Sequence, residues 1–102
     1  MAIPQKIRQA VYDRANRICE RCGNTKALQC HHIVKKSQGG LDIEDNIILL
    51  CWNCHHGTKG VHGKKGHKVD LELKLRLQNK YYNKGCSEEK VRELMGRKLY
   101  IE

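Results

Sequence analysis

Apolar positions along the chain change their rhythm several times, and each rhythm predicts a different element. From Pro4 to about Arg17, the residues Ile7, Ala10, Val11 and Arg14 recur at helical spacing, and Pro4 suits a first turn, so a leading helix is expected over about 4–17. "ALQCHHIV" reads as a short strand. "IILL" reads as a second one, apolar without interruption and therefore buried on both sides. Between them "SQGGLDIEDN" is a polar connection rich in turn formers.

The stretch "KVDLELKLRLQNKYY" carries two patterns at once. Val69, Leu71, Leu73, Leu75 and Leu77 alternate as in a strand, while Val69, Leu73, Leu77 and Tyr81 form an i, i+4 stripe. Leu, Glu, Lys, Arg and Gln are good helix formers, so a helix is predicted. Gly85 then marks a stop, and Ser87 with Glu88 and Glu89 reads as the cap and first turn of a last short helix ending near Gly96. These two helices form a C-terminal extension over about 69–96.

With 102 residues the chain is expected to be one domain, 1–102, of the small α+β class. There is no Phe and a single Trp, Trp52, so large rings contribute little core and a metal or disulfide staple is expected. The N-terminus lacks the apolar stretch of a secretion signal, and no run approaches the roughly 18 apolar residues of a membrane span. A cytoplasmic location follows as an expectation. In that reducing setting paired cysteines read as a metal site rather than as disulfides.

Cys19-x-x-Cys22 and Cys51-x-x-Cys54 are two knuckles of the spacing that lets thiolate pairs grip one tetrahedral ion, and zinc is the expected structural occupant. The twenty-eight residues between the knuckles exceed a simple zinc ribbon, so an insertion with its own task is expected there. Cys30 and Cys86 lack partners at metal spacing and read as small apolar residues.

That insertion carries His31 and His32 side by side, and His55 and His56 follow the second knuckle. Neighbours on a strand point to opposite faces, so two adjacent histidines can hold different tasks. If the first strand packs on the helix that follows Cys54, His31 and His55 can converge on a second cation. No carboxylate lies beside them in sequence, which leaves positions open for water and phosphate oxygens, as in a catalytic metal site. His32 would then be free to take a proton from water, a role that suits an imidazole near neutral pH.

Twenty Lys and Arg against eleven Asp and Glu give a net charge of +9, a field that attracts polyanions and makes DNA the expected partner. The cations and the histidine placed to meet a phosphate backbone are Lys35, Lys36, Lys59, His62, Lys64 and Lys65, with Lys68 beside them. No base-reading element is apparent, so limited sequence specificity is expected.

"CERC", "LQCHHIV" and "DNIILLCWNCHH" together resemble the HNH endonucleases of the four-cysteine zinc subtype, over about residues 19–60. Asn46 follows His32 by fourteen positions and His55 follows Asn46 by nine, the intervals that family keeps. The resemblance implies a ββα-metal (His-Me finger) core with flanking helices, of bacterial or phage type, acting in the bacterial or host cytoplasm. By position it implies His32 as general base, His31 and His55 as ligands of a catalytic divalent ion, and Asn46 as the residue that steadies the loop between the strands. It further implies 5′-phosphate and 3′-hydroxyl products and, in some settings, a phage packaging or other targeting partner. Where many relatives carry an additional histidine four residues after His55, this chain has Lys59, with His56 and His62 as possible substitutes. Mg²⁺ or Mn²⁺ is the favoured catalytic ion, with Ni²⁺, Co²⁺ and Zn²⁺ as alternatives.

Two other readings compete. A catalytically inactive zinc-dependent DNA-binding module would use the cysteines and the charge but leave His31, His32, Asn46 and His55 without a task. A protein-interaction domain of the zinc-ribbon or RING sort would leave the charge unexplained as well.

Overall fold

A computed structural model of the chain describes residues 3–57, 60–61 and 66–100. Its elements run α1 (Gln5–Arg14), β1 (Leu28–His32), β2 (Ile47–Cys51), α2 (Trp52–His55), α3 (Gly66–Asn83) and α4 (Glu88–Leu94), with short 3-10 turns at Lys36–Gln38 and Glu44–Asn46. The fold is a small α+β arrangement, as expected, with one antiparallel pair of strands at its centre.

The pairing runs from Leu28 opposite Cys51 to His32 opposite Ile47. Every residue of β2 is buried, which explains its unbroken apolar run: each face meets a separate core. Ile47 and Leu49 pack with Val11 of α1 on one side. Ile48 and Leu50 pack on the other with Val69, Leu73, Leu77 and Tyr81 of α3 and with Val91 and Met95 around α4.

The ambiguous segment is therefore a helix, beginning at Gly66 rather than Val69. All four residues of the i, i+4 stripe are buried, each contributing on the order of 2 kcal/mol of apolar burial, whereas Leu71 and Leu75 lie half-buried on its flanks. Ser87 caps α4 as expected, its Oγ accepting a hydrogen bond from the Lys90 N–H at 3.2 Å.

The leading helix ends earlier than the expected Arg17, at Arg14. Asn16 and Arg17 both take left-handed backbone angles, so the chain turns back immediately after the helix. The Arg14 guanidinium stands at the turn: it forms a bidentate pair with Glu20 and donates to the carbonyls of Glu44 and Ile47. Glu20 in turn receives the Leu49 N–H on its carboxylate and donates its own N–H to the Leu49 carbonyl. The free edge of β2 is thereby covered by one residue of the first knuckle.

The Gln78 side chain accepts from the Tyr100 N–H and donates to its carbonyl, pinning the C-terminal segment along α3. Lys74, buried in the same region, pairs with Asp70 at 2.8 Å and lies 5.1 Å from the Tyr100 ring centroid. Among the described residues no helix is long and apolar enough to cross a membrane.

Candidate metal and catalytic sites

The two knuckles meet at the end of the sheet. One comes from the turn before β1 and the other from the last residue of β2 and the first turn of α2, and the Leu28–Cys51 pairing brings them together. The Sγ atoms of Cys19, Cys22, Cys51 and Cys54 all lie within 4.8 Å of one another, with Cys22 and Cys51 at 3.5 Å. Cys19, Cys51 and Cys54 are buried and Cys22 is exposed. Four converging thiols form the donor set and closed surroundings of a structural zinc site.

The knuckle backbone favours thiolate on Cys19. Burial acts to raise its thiol, but the N–H groups of Cys22, Cys51 and Arg21 outweigh it and bring the pKa down to about 6. Cys54 goes the other way, pushed up to about 12 by burial in spite of the nearby Arg21. Arg21 joins this cluster to α3: Nη1 lies 3.8 Å from Cys54 Sγ, and Nε donates to Glu72 at 3.0 Å.

The histidines divide as the strand geometry requires. His31 is buried and its ring stands 5.0 Å, centroid to centroid, from the ring of His55 on α2 at an interplanar angle of 65°. His55 Nδ1 lies 2.6 Å from Gln29 Oε1. Gln29 and His31 share one face of β1, so the strand supplies both the ring beside His55 and the group that orients it. A donated Nδ1–H leaves His55 Nε2 as the lone-pair nitrogen, the form in which imidazole binds a metal. The two imidazoles thus fit a shared divalent ion.

His32, on the other face, is held by a different partner. Its Nε2 lies 2.7 Å from Asp42 Oδ1, and the second oxygen of Asp42 accepts from Lys36 Nζ at 2.7 Å. The Lys36 ammonium and the His32 ring together keep the Asp42 carboxyl below its ordinary range. Among the contacts that define the site, His32 therefore stands with Asp42 and not with the His31–His55 pair. Sequence reading missed both Asp42 and Gln29. Their only signal was polarity within a loop and on a strand, which many solvated residues share.

Asn46 is fully buried and closes the loop between the strands. Its Oδ1 accepts from the Val34 N–H at 2.9 Å, while Nδ2 donates to the Val34 carbonyl at 3.0 Å and the Leu41 carbonyl at 2.9 Å. The side chain completes a pairing that the backbone begins, since the Ile33 N–H donates to the Asn46 carbonyl at 2.8 Å. Gly40 lies against the Val34 carbonyl, leaving no room for a Cβ, so the loop folds back over the start of its own path. The segment that carries Asp42 is consequently held in place on both sides.

Of the cations expected to meet DNA, Lys35 is exposed at the start of the first 3-10 turn, Lys36 pairs with Asp42, and Lys68 is exposed on α3. Lys59, His62, Lys64 and Lys65 lie outside the described residues. Cys30 and Cys86 are half-buried, and burial pushes the Cys30 thiol up. A cavity of about 270 Å³ lies between α1, β2 and α3, where Arg14, Arg76 and Lys80 face Glu20 and Asp45 above apolar β2 side chains. None of the site cysteines or histidines lines it.

Comparison with known proteins gives two matches. The family model of the HNH endonucleases matches residues 19–59. The chain is also 32% identical over 72 residues to the type IV methyl-directed restriction enzyme EcoKMcrA of Escherichia coli (strain K12). That match takes in 62% of this chain and 25% of the relative, so the chain spans about a quarter of the relative's length.

Proposed function

We propose that this chain, whose residues 19–59 match the HNH endonuclease family model, is a metal-dependent DNA endonuclease with limited sequence specificity. The observation that carries the reading is the meeting of His31 from β1 with His55 from α2, while the neighbouring His32 is turned to a carboxylate. A merely structural zinc module would have no use for that division.

In this reading Cys19, Cys22, Cys51 and Cys54 hold a structural zinc, and His31 and His55 hold a catalytic divalent ion, Mg²⁺ or Mn²⁺ in preference to Ni²⁺, Co²⁺ or Zn²⁺. When bound, the catalytic ion supplies Lewis-acid charge for the phosphate and the departing 3′ oxygen. His32 donates its Nε2–H to Asp42, which leaves the Nδ1 lone pair to take a proton from water. The resulting hydroxide attacks phosphorus in line, the P–O3′ bond breaks, the departing 3′ oxygen takes a proton from solvent while His32 returns its own to solvent, and a 5′-phosphate and a 3′-hydroxyl remain. Asp42 holds the imidazole in that tautomer and balances the imidazolium formed when the proton arrives. Asn46 keeps the loop bearing Asp42 closed. Lys35 and the basic segment from Lys59 to Lys68 steer the phosphate backbone to the site.

The activity of the larger restriction-enzyme relative bears on this chain only through the shared segment. A single such domain cuts one strand per visit, so nicking is the primary product and a double-strand break needs two events or two copies. The proposed location is the cytoplasm of a bacterium, with the protein encoded by the cell or by a phage. Association with phage packaging or another targeting protein is a further part of the proposal.

The test is conversion of supercoiled plasmid to nicked and linear forms by wild type and His32→Ala, with EDTA, Mg²⁺, Mn²⁺, Ni²⁺ and Zn²⁺ compared. Wild type is expected to nick in a metal-dependent manner, and the substitution to lower the rate by about 10²–10⁴-fold with zinc content and DNA binding retained. A folded wild type that binds DNA but cleaves it with none of these ions would point to the inactive binding module.

A further inference from the structure

Trp52 is the chain's one tryptophan and, at 53% exposure, the most exposed large apolar side chain among the described residues. A domain with so few aromatic residues leaves its largest ring in water, although apolar burial is what a chain of this size most needs. Its place explains why a core position was not used. α2 sets Trp52 three residues before His55 and four before His56, the spacing of neighbours on one side of a helix.

The rings form a row. Trp52 lies 6.1 Å from His56 at 42°, His56 lies 4.2 Å from His55 at 53°, and His55 lies 5.0 Å from His31 at 65°. The row runs from an indole in solvent to an imidazole buried against the sheet. Its inner end is the proposed cation site, so whatever stacks on the outer end lies beside the phosphate held there.

A chain of net charge +9 gathers polyanions, and within nucleic acid the component with a flat face of indole size is the base. In an intact duplex both faces of each base are covered by neighbouring pairs. An exposed indole therefore reaches a base only in a single strand, at a gap or end, or where the duplex has opened.

We propose that Trp52, backed by His56, is a stacking platform for an unpaired nucleobase adjoining the scissile phosphate, so that the protein selects single-stranded or locally opened DNA over continuous duplex. This rests on the DNA-endonuclease reading and adds the structural class of its substrate. Stacking tolerates any base, in keeping with limited sequence specificity.

Trp52 supplies its own readout. The zinc-loaded full chain, with no divalent ion added for cleavage, is titrated with a single-stranded oligonucleotide and with the matching blunt duplex. Indole fluorescence is followed together with the anisotropy of a label on the DNA. The single strand is expected to shift or quench the indole emission and to bind more tightly than the duplex. Trp52→Ala is expected to weaken single-strand binding about tenfold and duplex binding far less, with most of the loss restored in Trp52→Tyr. Because the side chain is exposed, both variants should fold, which circular dichroism checks.

DNA binding that leaves the indole emission unchanged would overturn the platform, as would equal weakening toward both DNA forms. So would a concentration-dependent emission change without DNA, which would assign the ring to contact with a second copy. If metal-dependent nicking is seen in those cases, the endonuclease reading stands and only the platform falls. Absence of DNA binding by wild type in both forms would remove both.

Discussion

The cysteine cluster and the histidine pair share α2, which carries both Cys54 and His55, yet they are built on different principles. Four like donors converge within 4.8 Å at the Leu28–Cys51 end, and three of the four are buried. Around the histidines no such set of four metal-binding donors is gathered among the described residues. Each histidine there is set by a neighbour of another type: His55 by Gln29, His32 by Asp42, and the intervening loop by Asn46. A closed site can be specified by local spacing, because the ion itself draws the ligands together. An open site must hold its geometry with protein–protein hydrogen bonds, because its remaining positions belong to water and substrate.

That contrast is broken most directly by removing one cysteine and, separately, one proposed catalytic ligand. Cys51→Ala is expected to abolish zinc retention and cooperative folding, since binding of a structural zinc supplies about 10–16 kcal/mol in small metal-dependent domains. His55→Ala should retain zinc and fold while losing metal-dependent nicking. Zinc content, thermal melts and plasmid conversion on the two variants decide it, and an unfolded His55→Ala would erase the distinction between a structural and an open site.

Asn46→Ala should have the next largest effect. It leaves the Val34 N–H and the Val34 and Leu41 carbonyls without their side-chain partner, at a cost of about 2–4 kcal/mol in denaturant unfolding. Asn46→Asp should rescue poorly. A carboxylate can still accept from Val34, but its other oxygen then faces two carbonyls. Nicking should fall in both variants while zinc content is unchanged, which separates the loop from the cysteine end.

The smallest effect concerns Asp45, which ties this loop to Lys80 of α3 at 2.9 Å and to Lys84, just past its end, at 2.7 Å. Burial acts to raise its carboxyl, but the two ammonium groups prevail and hold it below the ordinary value of 3.8. A carboxylate lowered in the folded state contributes stability above its unfolded pKa and loses it as pH falls through the folded one. The stability gap between wild type and Asp45→Asn should therefore be constant near neutrality, under about 1 kcal/mol, and close as pH drops below about 4. Urea unfolding of both proteins at matched pH values measures the gap. A gap that widens in acid would mean the pairs do not act as described.

How much of this was legible from the residues varies with how far apart the cooperating groups lie. The two C-x-x-C knuckles, the buried strand IILL, the Ser87 cap and the stripe Val69, Leu73, Leu77 and Tyr81 all express local rules, and each is found where those rules place it. The end of α1 was misplaced because it is set by Arg14 reaching Glu20, Glu44 and Ile47, partners that helix propensity does not contain. His31, His32, Asn46 and His55 were recognisable by type and interval. Their partners Asp42 and Gln29 were not, since nothing in a polar loop or an exposed strand position distinguishes an orienting group from a solvated one.

The sequence by itself therefore determined the elements and the cysteine donor set, and nominated the candidate catalytic side chains, because periodicity, capping and ligand spacing act over a few residues. Tertiary structure alone decided that His31 faces His55, that His32 faces Asp42, and that Trp52 heads a row of rings. The physical reason is that strand register and the docking of α2 are settled by burial of both faces of β2, a sum over residues distant in the chain that no local pattern carries.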